Sequence, residues 1–202
     1  MLADEALRIN ARWIHEVVER FGVCPFAAPA MASGAVARRV LLEPSAAPAA
    51  LQELAVDVAI EVALLIFPTV TMSAAEFDRW CTPLRSQSPH FVAAVFHPDA
   101  PYDLATPAQA VGFFRRAPDP TLQLVRASAM QSVRGPGGGK FHFDFSADAW
   151  AELQRREHKL PTSERIAVDN HALLVRDGVA RLQSIYDDIR ADRDRSYAQA
   201  GG

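Results

Sequence analysis

The apolar run from Glu61 to Phe67, closed by Pro68, most strongly limits how this chain can fold. The run is far shorter than the roughly 18 residues that a membrane-spanning helix needs. A short apolar run that ends at a turn residue is typical of a strand buried on both faces of a sheet. Phe91 to Phe96 is another such run, followed by His97-Pro98-Asp99. Both runs indicate a sheet that is flanked by other elements.

Strands alternate with helical patterns along most of the chain, which predicts an α/β fold, with α+β as the alternative. The predicted strands are residues 35–42, 61–67, 91–96 and 122–126. The predicted helices are residues 4–21, 47–59, 73–84, 106–115, 147–158 and 164–190, with a short helix capped by Ser128. We therefore expect a single domain over residues 1–190, with a central sheet of about four strands, flanking helices and a helical C-terminal part. Residues 191–202 are polar and are predicted to form a disordered tail.

Charge and cysteine content exclude several classes of protein. The formal net charge of the 202 residues is −3, which gives no electrostatic reason to expect nucleic acid or an anionic membrane as a partner. Two cysteines 57 residues apart form neither a disulfide framework nor a paired-cysteine metal motif. The acidic N-terminus is unlike a secretory signal. We predict a cytoplasmic protein with reduced thiols that acts on a small molecule.

Cys24 stands between Gly22, which can end the first helix, and Pro25, which forbids its continuation. A thiol at such a break projects from a fixed backbone. Three roles stay open for Cys24 on these residues alone: a structural thiol, a ligand to a metal or haem iron, and a nucleophile. The other thiol, Cys81, lies within a predicted helix beside Trp80 and is interpreted as structural.

His97 follows a predicted strand, where ligands collect in open α/β sheets, so it is a candidate for proton transfer or ligation. The alternative is a loop histidine that binds a neighbouring backbone group. Arg115, Arg116 and Arg126 are candidates to bind a carboxylate or a haem propionate, because the guanidinium fork matches that geometry. Their position at a helix C-terminus and at the end of a strand also allows a purely structural role.

The most glycine-dense stretch runs from Gly135 to Lys140 and is followed by Phe141 and His142. It lacks the Gly-Lys-Ser/Thr ending of a phosphate-binding loop. We interpret it as a flap over a site, with Lys140 and His142 as candidate ligand contacts; a surface hairpin would explain His142 equally well.

The succession of these motifs resembles the DUF1415 family of bacterial proteins over about residues 10–133. The resemblance rests on three pieces of sequence in this order: Gly22-Val23-Cys24-Pro25-Phe26-Ala27, Phe96-His97-Pro98 and Arg116-Ala117-Pro118-Asp119-Pro120. It implies an intracellular protein and no particular reaction. The chain departs from the family pattern at residues 115–120 and at Gln123, where a histidine is usual, which favours a specialised relative.

A shorter stretch around Cys24-Pro25 is similar to the YqcI/YcgG family, which includes haem-dependent arginine N-hydroxylases. This similarity implies a haem-thiolate oxidative enzyme, with Cys24 as iron ligand, that acts on a small carboxylate- or amine-bearing metabolite. Two alternatives are a cofactor-free enzyme with Cys24 as nucleophile and His97 as base, and a non-catalytic small-molecule binding protein. In each case we expect the Cys24 loop, His97-Pro98 and residues 116–120 to line one pocket.

Overall fold

The computed structural model describes residues 1–24, 27–132 and 162–201. The predicted helix over residues 147–158 and the glycine-rich stretch with Lys140 and His142 lie outside these residues. The described helices are α1 (Leu2–Trp13), α2 (Ala27–Ala32), α3 (Ala47–Val56), α4 (Ala74–Ser86), α5 (Pro107–Phe114), α6 (Ala127–Ser132), α7 (Thr162–Asp177) and α8 (Val179–Ala200). A π-helical segment, Ile14–Glu19, continues α1, and a 3-10 turn, Pro44–Ala46, precedes α3.

Within the described residues four strands form one mixed sheet, and the chain has the predicted α/β fold. The strands are β1 (Val36–Val40), β2 (Val62–Ile66), β3 (Phe91–Phe96) and β4 (Thr121–Arg126), in the spatial order β1-β2-β4-β3. Strand β1 is parallel to β2 and is connected to it through α3, whereas β4 runs antiparallel to both β2 and β3. The pairing of Phe96 with Thr121 brings the end of β3 beside the start of β4.

Helices cover both faces of the sheet, which explains why all five residues of β2 are buried. Alternate residues of β2 enter different cores: Leu64 and Ile66 pack on one face, and Ala63 and Leu65 pack on the other, together with Phe67 just after the strand. Helices α1, α5, α7 and α8 contribute to the first core, and α3 and α4 contribute to the second. We call these two sides the α1/α8 face and the α3/α4 face.

Side-chain caps fix the starts of two helices at the residues that the sequence predicts. Ser73 and Glu76 form a reciprocal capping box at α4, and the Thr106 hydroxyl accepts a hydrogen bond from the backbone N–H of Gln109 at α5. Gly22 has φ = 61° and ends the first helical segment, as predicted. Ser128, however, lies inside α6 and does not cap it.

The C-terminal part differs from the sequence prediction in two ways. Gly178 has φ = 83°, so it separates α7 from α8, where one continuous helix over residues 164–190 was predicted. Helix α8 then continues to Ala200, through the segment predicted as a disordered tail. Ion pairs and hydrogen bonds of its last turns to Arg8, Arg12 and Asp119 hold this segment on the body of the protein. No helix in the described ranges is long and apolar enough to cross a membrane.

Candidate functional site

A small pocket lies where the turn after β3 meets the segment before β4 and both meet α8. The two segments are neighbours because β3 and β4 are antiparallel, and the backbone N–H of His97 donates to the carbonyl of Arg115 at 3.0 Å. The pocket is lined by Pro98, by Arg116, Ala117 and Pro118, and by Tyr186, Ile189 and Arg190 of α8. Its volume, counted as space for the centre of a water molecule, is about 20 Å³. That space holds a water molecule or the head of a carboxylate.

The guanidinium of Arg116 lies among three aromatic rings. Its central carbon is 4.8 Å from the ring centroid of Tyr186, 5.3 Å from that of Phe113 and 5.6 Å from that of Tyr102. Phe113 contacts both tyrosines edge to face, so the rings support one another. Cation–π contacts of this kind hold a guanidinium in place without using its N–H groups.

Gln183 orients Arg116 from α8. The Nη1 group of Arg116 donates to Oε1 of Gln183 at 2.6 Å, and the amide of Gln183 donates in turn to Asp187 at 2.7 Å. Among the described residues this is the hydrogen bond that Arg116 makes, and no carboxylate pairs with it there. A guanidinium has five N–H donors, so several remain for an acceptor in the pocket.

Three buried polar side-chain atoms have no hydrogen-bond partner among the described residues, and one of them belongs to Tyr186, whose ring contacts Arg116. They are the hydroxyl of Tyr186, the indole N–H of Trp13 and the side-chain oxygen of Asn10, which lies one turn before Trp13 on α1. The indole approaches the Tyr186 oxygen closely enough to affect its pKa, but outside hydrogen-bonding geometry. Burial raises the pKa of Tyr186 far above its usual value, against the opposing effect of Arg116. Tyr186 therefore keeps its proton at neutral pH.

Asp119 fastens the wall of the pocket that carries Arg116 onto α8. Its carboxylate accepts a hydrogen bond from Nε of Arg193 at 2.7 Å and another from the hydroxyl of Tyr197 at 2.6 Å. Asp119 is only 1% exposed, and burial raises its pKa while Arg193 opposes that change. Arg116, Ala117 and Pro118 thus line the pocket, and the next residue, Asp119, holds the segment to α8.

Cys24 does not line this pocket. It is half-buried and packs against the core of the α1/α8 face. Its carbonyl accepts a hydrogen bond from Ala27 at the start of α2, and the preceding carbonyl, of Val23, accepts one from the buried Asn170 of α7. Of the three segments predicted to share a pocket, the structure brings together the one at Pro98 and the one at Arg116 to Pro118, and it places Cys24 elsewhere.

His97 is 5% exposed, and both of its ring nitrogens bind backbone groups. Nδ1 accepts from the N–H of Asp99 at 3.1 Å, so Nε2 carries the proton and donates to the carbonyl of Met72 at 2.9 Å. The ring lies 6.1 Å from that of Phe77, in the core of the α3/α4 face. These hydrogen bonds are those of a histidine that shapes the Pro98 turn. His97 and Cys24 therefore lie in different surroundings.

The other candidate residues have different surroundings. The side chain of Arg115 is exposed and outside the pocket lining, and Arg126 binds backbone carbonyls near the end of α3. Cys81 is fully buried in α4, as expected of a structural thiol, and burial raises its pKa to about 12. Lys140 and His142 lie outside the described residues.

Haem or a metal ion finds little support among the described residues. No three His, Cys, Asp or Glu side chains in the described ranges are grouped so that they could hold a metal ion. The pocket of about 20 Å³ at Arg116 is far smaller than the roughly 300–1,000 Å³ of sites for large organic ligands, so a porphyrin does not fit in it. His97 has no free nitrogen for an iron. Within the part of the chain that the structure describes, the haem hypothesis thus depends on Cys24 alone.

Sequence reasoning did not select the α8 side of the pocket. Tyr186 belongs to the buried stripe of α8 together with Leu182 and Ile189, and Arg190 follows Tyr186 by one helical turn. One signal was available in the sequence: a tyrosine within an otherwise aliphatic stripe buries a hydroxyl that needs a partner.

A family model described as "Protein of unknown function (DUF1415)" matches residues 5–135. This range includes most of α1, the whole described sheet and the Arg116 to Asp119 segment, and it ends before α7 and α8. No curated protein and no solved structure matches the chain.

Proposed function

Since the chain belongs to the DUF1415 family of proteins of unknown function, we propose, from its pocket, that it binds a small carboxylate-bearing molecule with Arg116 as the anchor. The observation that carries this proposal is the polarity of the pocket. Its polar side chains are Arg116, Arg190 and Tyr186, and its other lining residues are proline, alanine and isoleucine. Two cations and a neutral hydroxyl attract an anion and repel a metal ion or an amine.

The geometry around Arg116 favours a carboxylate as that anion. Ring contacts on three sides and the bond to Gln183 fix the plane of the guanidinium before any ligand arrives. A fixed, planar fork of N–H donors binds the two oxygens of a carboxylate side by side. The small inner volume accepts a head group of this size and leaves the rest of the ligand at the mouth.

Burial increases what the site can contribute to binding. Tyr186 is 7% exposed and its hydroxyl has no partner among the described residues. A buried donor without a partner costs about 1–3 kcal/mol, and a ligand oxygen that accepts from it recovers that energy. A ligand that lacks the acidic group leaves both the hydroxyl and the guanidinium unpaired, so the site also discriminates against it.

Titration of the protein with sodium propionate, followed by NMR of the arginine Nε–H and tyrosine ring signals, tests this proposal. We expect saturable shifts of Arg116 and Tyr186, with sodium chloride at equal ionic strength giving none. Arg116→Gln should weaken propionate binding by at least about tenfold, because it removes the charge-assisted pair.

Arg115→Gln is the matched control, because it removes the same charge from the adjacent, exposed residue. It should leave propionate affinity within about twofold, since screened surface charges contribute little. Equal losses in the two variants would show that propionate responds only to net charge and would overturn the proposal. The absence of saturable shifts in the unaltered protein would do the same.

Haem ligation by Cys24 is a separate prediction with a separate measurement. It requires a Soret band in protein purified with haemin, and that band must be shifted or lost in Cys24→Ala. Protein that stays colourless after incubation with haemin would end the haem hypothesis and leave the carboxylate site unaffected.

A further inference from the structure

Arg190 supplies a second guanidinium to the pocket, one turn of α8 beyond Tyr186. Side chains four residues apart on a helix lie on the same face, with their Cβ atoms about 5–6 Å apart. Arg190 is 54% exposed, whereas Tyr186 is buried, so Arg190 stands on the outer side of the pocket. The positive groups are therefore arranged from the interior to the mouth.

The partner of Arg190 in the structure is an exposed carboxylate that a ligand can replace. Nη1 of Arg190 donates to Oδ1 of Asp99 at 3.1 Å, and the Asp99 side chain is 65% exposed. An exposed ion pair of this kind contributes about 0–1 kcal/mol. The turn that carries Asp99 does not depend on the pair, because the backbone N–H of Asp99 is bound by His97.

We propose that the ligand carries two acidic groups, the first bound by Arg116 and Tyr186 and the second by Arg190 in place of Asp99. This inference depends on the carboxylate site proposed above. The carboxylate of Asp99 shows which chemistry Arg190 binds at the mouth. The apolar residues Pro98 and Ile189 line the same pocket and suit a short hydrocarbon link between the two groups. The ligand class is a small aliphatic dicarboxylate.

Calorimetric titration of the full chain with propionate, succinate and glutarate at pH 7 and constant ionic strength tests this inference. We expect succinate or glutarate to bind at least about tenfold more tightly than propionate, because a second charge-assisted contact is added. Arg190→Gln should reduce that ratio to about one.

Asp99→Asn provides a test of opposite sign. Removal of the competing carboxylate should tighten dicarboxylate binding by about twofold to fivefold and leave propionate unchanged, since the displaced pair is weak. Arg195→Gln is the matched control, because Arg195 is an exposed arginine of the same helix. It should change neither affinity.

The outcomes separate this inference from the proposal on which it rests. Equal affinities for propionate and the dicarboxylates, or a dicarboxylate preference that survives Arg190→Gln, would overturn the second acidic group while the Arg116 site stands. If neither propionate nor a dicarboxylate binds saturably, the proposed function itself fails. Weaker dicarboxylate binding in Asp99→Asn would also overturn the proposal that the ligand displaces Asp99 from Arg190.

Discussion

Arg116 and Arg126 stand near opposite ends of β4, and the structure uses them differently. Arg126 donates from Nε to the carbonyl of Ile60 at 2.9 Å, and from Nη2 to those of Asp57 at 2.8 Å and Leu54 at 3.1 Å. Its guanidinium also lies 4.7 Å from the ring centroid of Phe91. These carbonyls belong to the end of α3 and the turn that follows it, where helix carbonyls lack intrahelical partners. Arg126 therefore uses its hydrogen-bond donors to hold α3 and the turn after it.

Arg116 makes fewer hydrogen bonds than Arg126 among the described residues. Three aromatic rings and Gln183 fix its position. Arg116 and Tyr186 both line the pocket, and the buried Tyr186 hydroxyl has no partner among the described residues. Sequence alone treats both arginines as candidates for the same role. Satisfied donors indicate a structural role for Arg126, whereas the proposed binding role of Arg116 rests on donors that are left over.

The largest loss of stability is expected from Arg126→Gln. This substitution removes a cation from three backbone carbonyls, so we expect the free energy of unfolding to fall by about 2–4 kcal/mol, given the strength of hydrogen bonds to charged groups. Urea denaturation measures this change. The Kd of propionate for the folded protein should stay within about twofold of the original, since Arg126 is not in the pocket lining.

The same measurements on Arg116→Gln should give the opposite pattern. We expect a stability loss of only about 1 kcal/mol, from the cation–π contacts, together with the loss of propionate binding. If both arginines affected stability and binding alike, the distinction between an occupied and an available guanidinium would be wrong.

Gly112→Ala tests how the aromatic surroundings of Arg116 are built. A Cβ at Gly112 would lie 2.1 Å from the carbonyl oxygen of Pro101, so the loop that carries Tyr102 must move away from α5. We expect a net loss of about 1–3 kcal/mol, as in other overpacked sites, despite the better helix propensity of alanine. Propionate binding should weaken too, because Tyr102 stacks on Arg116.

The control for Gly112→Ala is Gly201→Ala. A Cβ at Gly201 would lie 3.4 Å from the carbonyl oxygen of Tyr197, an ordinary contact, and its φ is −98°. The free energy of unfolding of Gly201→Ala should stay within about 0.5 kcal/mol of that of the unaltered protein. If Gly112→Ala behaves like this control, the loop adapts freely and Tyr102 is not held by close packing.

Local patterns predicted most of the fold. The strand predicted from the apolar run at residues 61–67 agrees with β2 to within one residue at each end. Ser73 with Glu76 marks the start of α4 at the predicted residue. Such features depend on nearby residues, so a single sequence contains them. The continuation of α8 to Ala200 was missed because Arg193 and Tyr197 are polar, and their partner, Asp119, is distant in sequence.

The candidate site was predicted only on one side. Arg116 and the Pro98 turn could be found because each is next to a strand end, where ligands collect. Tyr186 and Arg190 could not be placed beside them, because sequence periodicity gives the buried face of a helix but not the loops it meets. Cys24 and His97 were predicted to act together, as nucleophile and base. The structure instead packs each of them against a different core.

The smallest effect expected is the acid dependence that Asp192 gives to the α1/α8 face. Hydrogen bonds from Arg8, and then from Arg12, lower the pKa of Asp192 from its ordinary value of 3.8 to about 2. Because the folded pKa is the lower one, the stabilisation is complete above about pH 4 and is lost as the pH falls towards 2. Asp192→Asn should therefore cost about 1 kcal/mol at pH 6, since the Arg8 partner is exposed and its pair with Asp192 is screened.

Urea denaturation at pH 6, 4 and 2.5 measures whether that difference shrinks as the solution becomes acidic. Glu43→Gln, which removes a charge from an exposed loop, should show no such convergence. Hydrogen exchange should locate the effect: peptides of α8 should lose protection in Asp192→Asn at pH 6, while those of α3, held by Arg126, should not. Equal loss of protection in both helices would show that the face with the pocket and the face with Arg126 do not open separately.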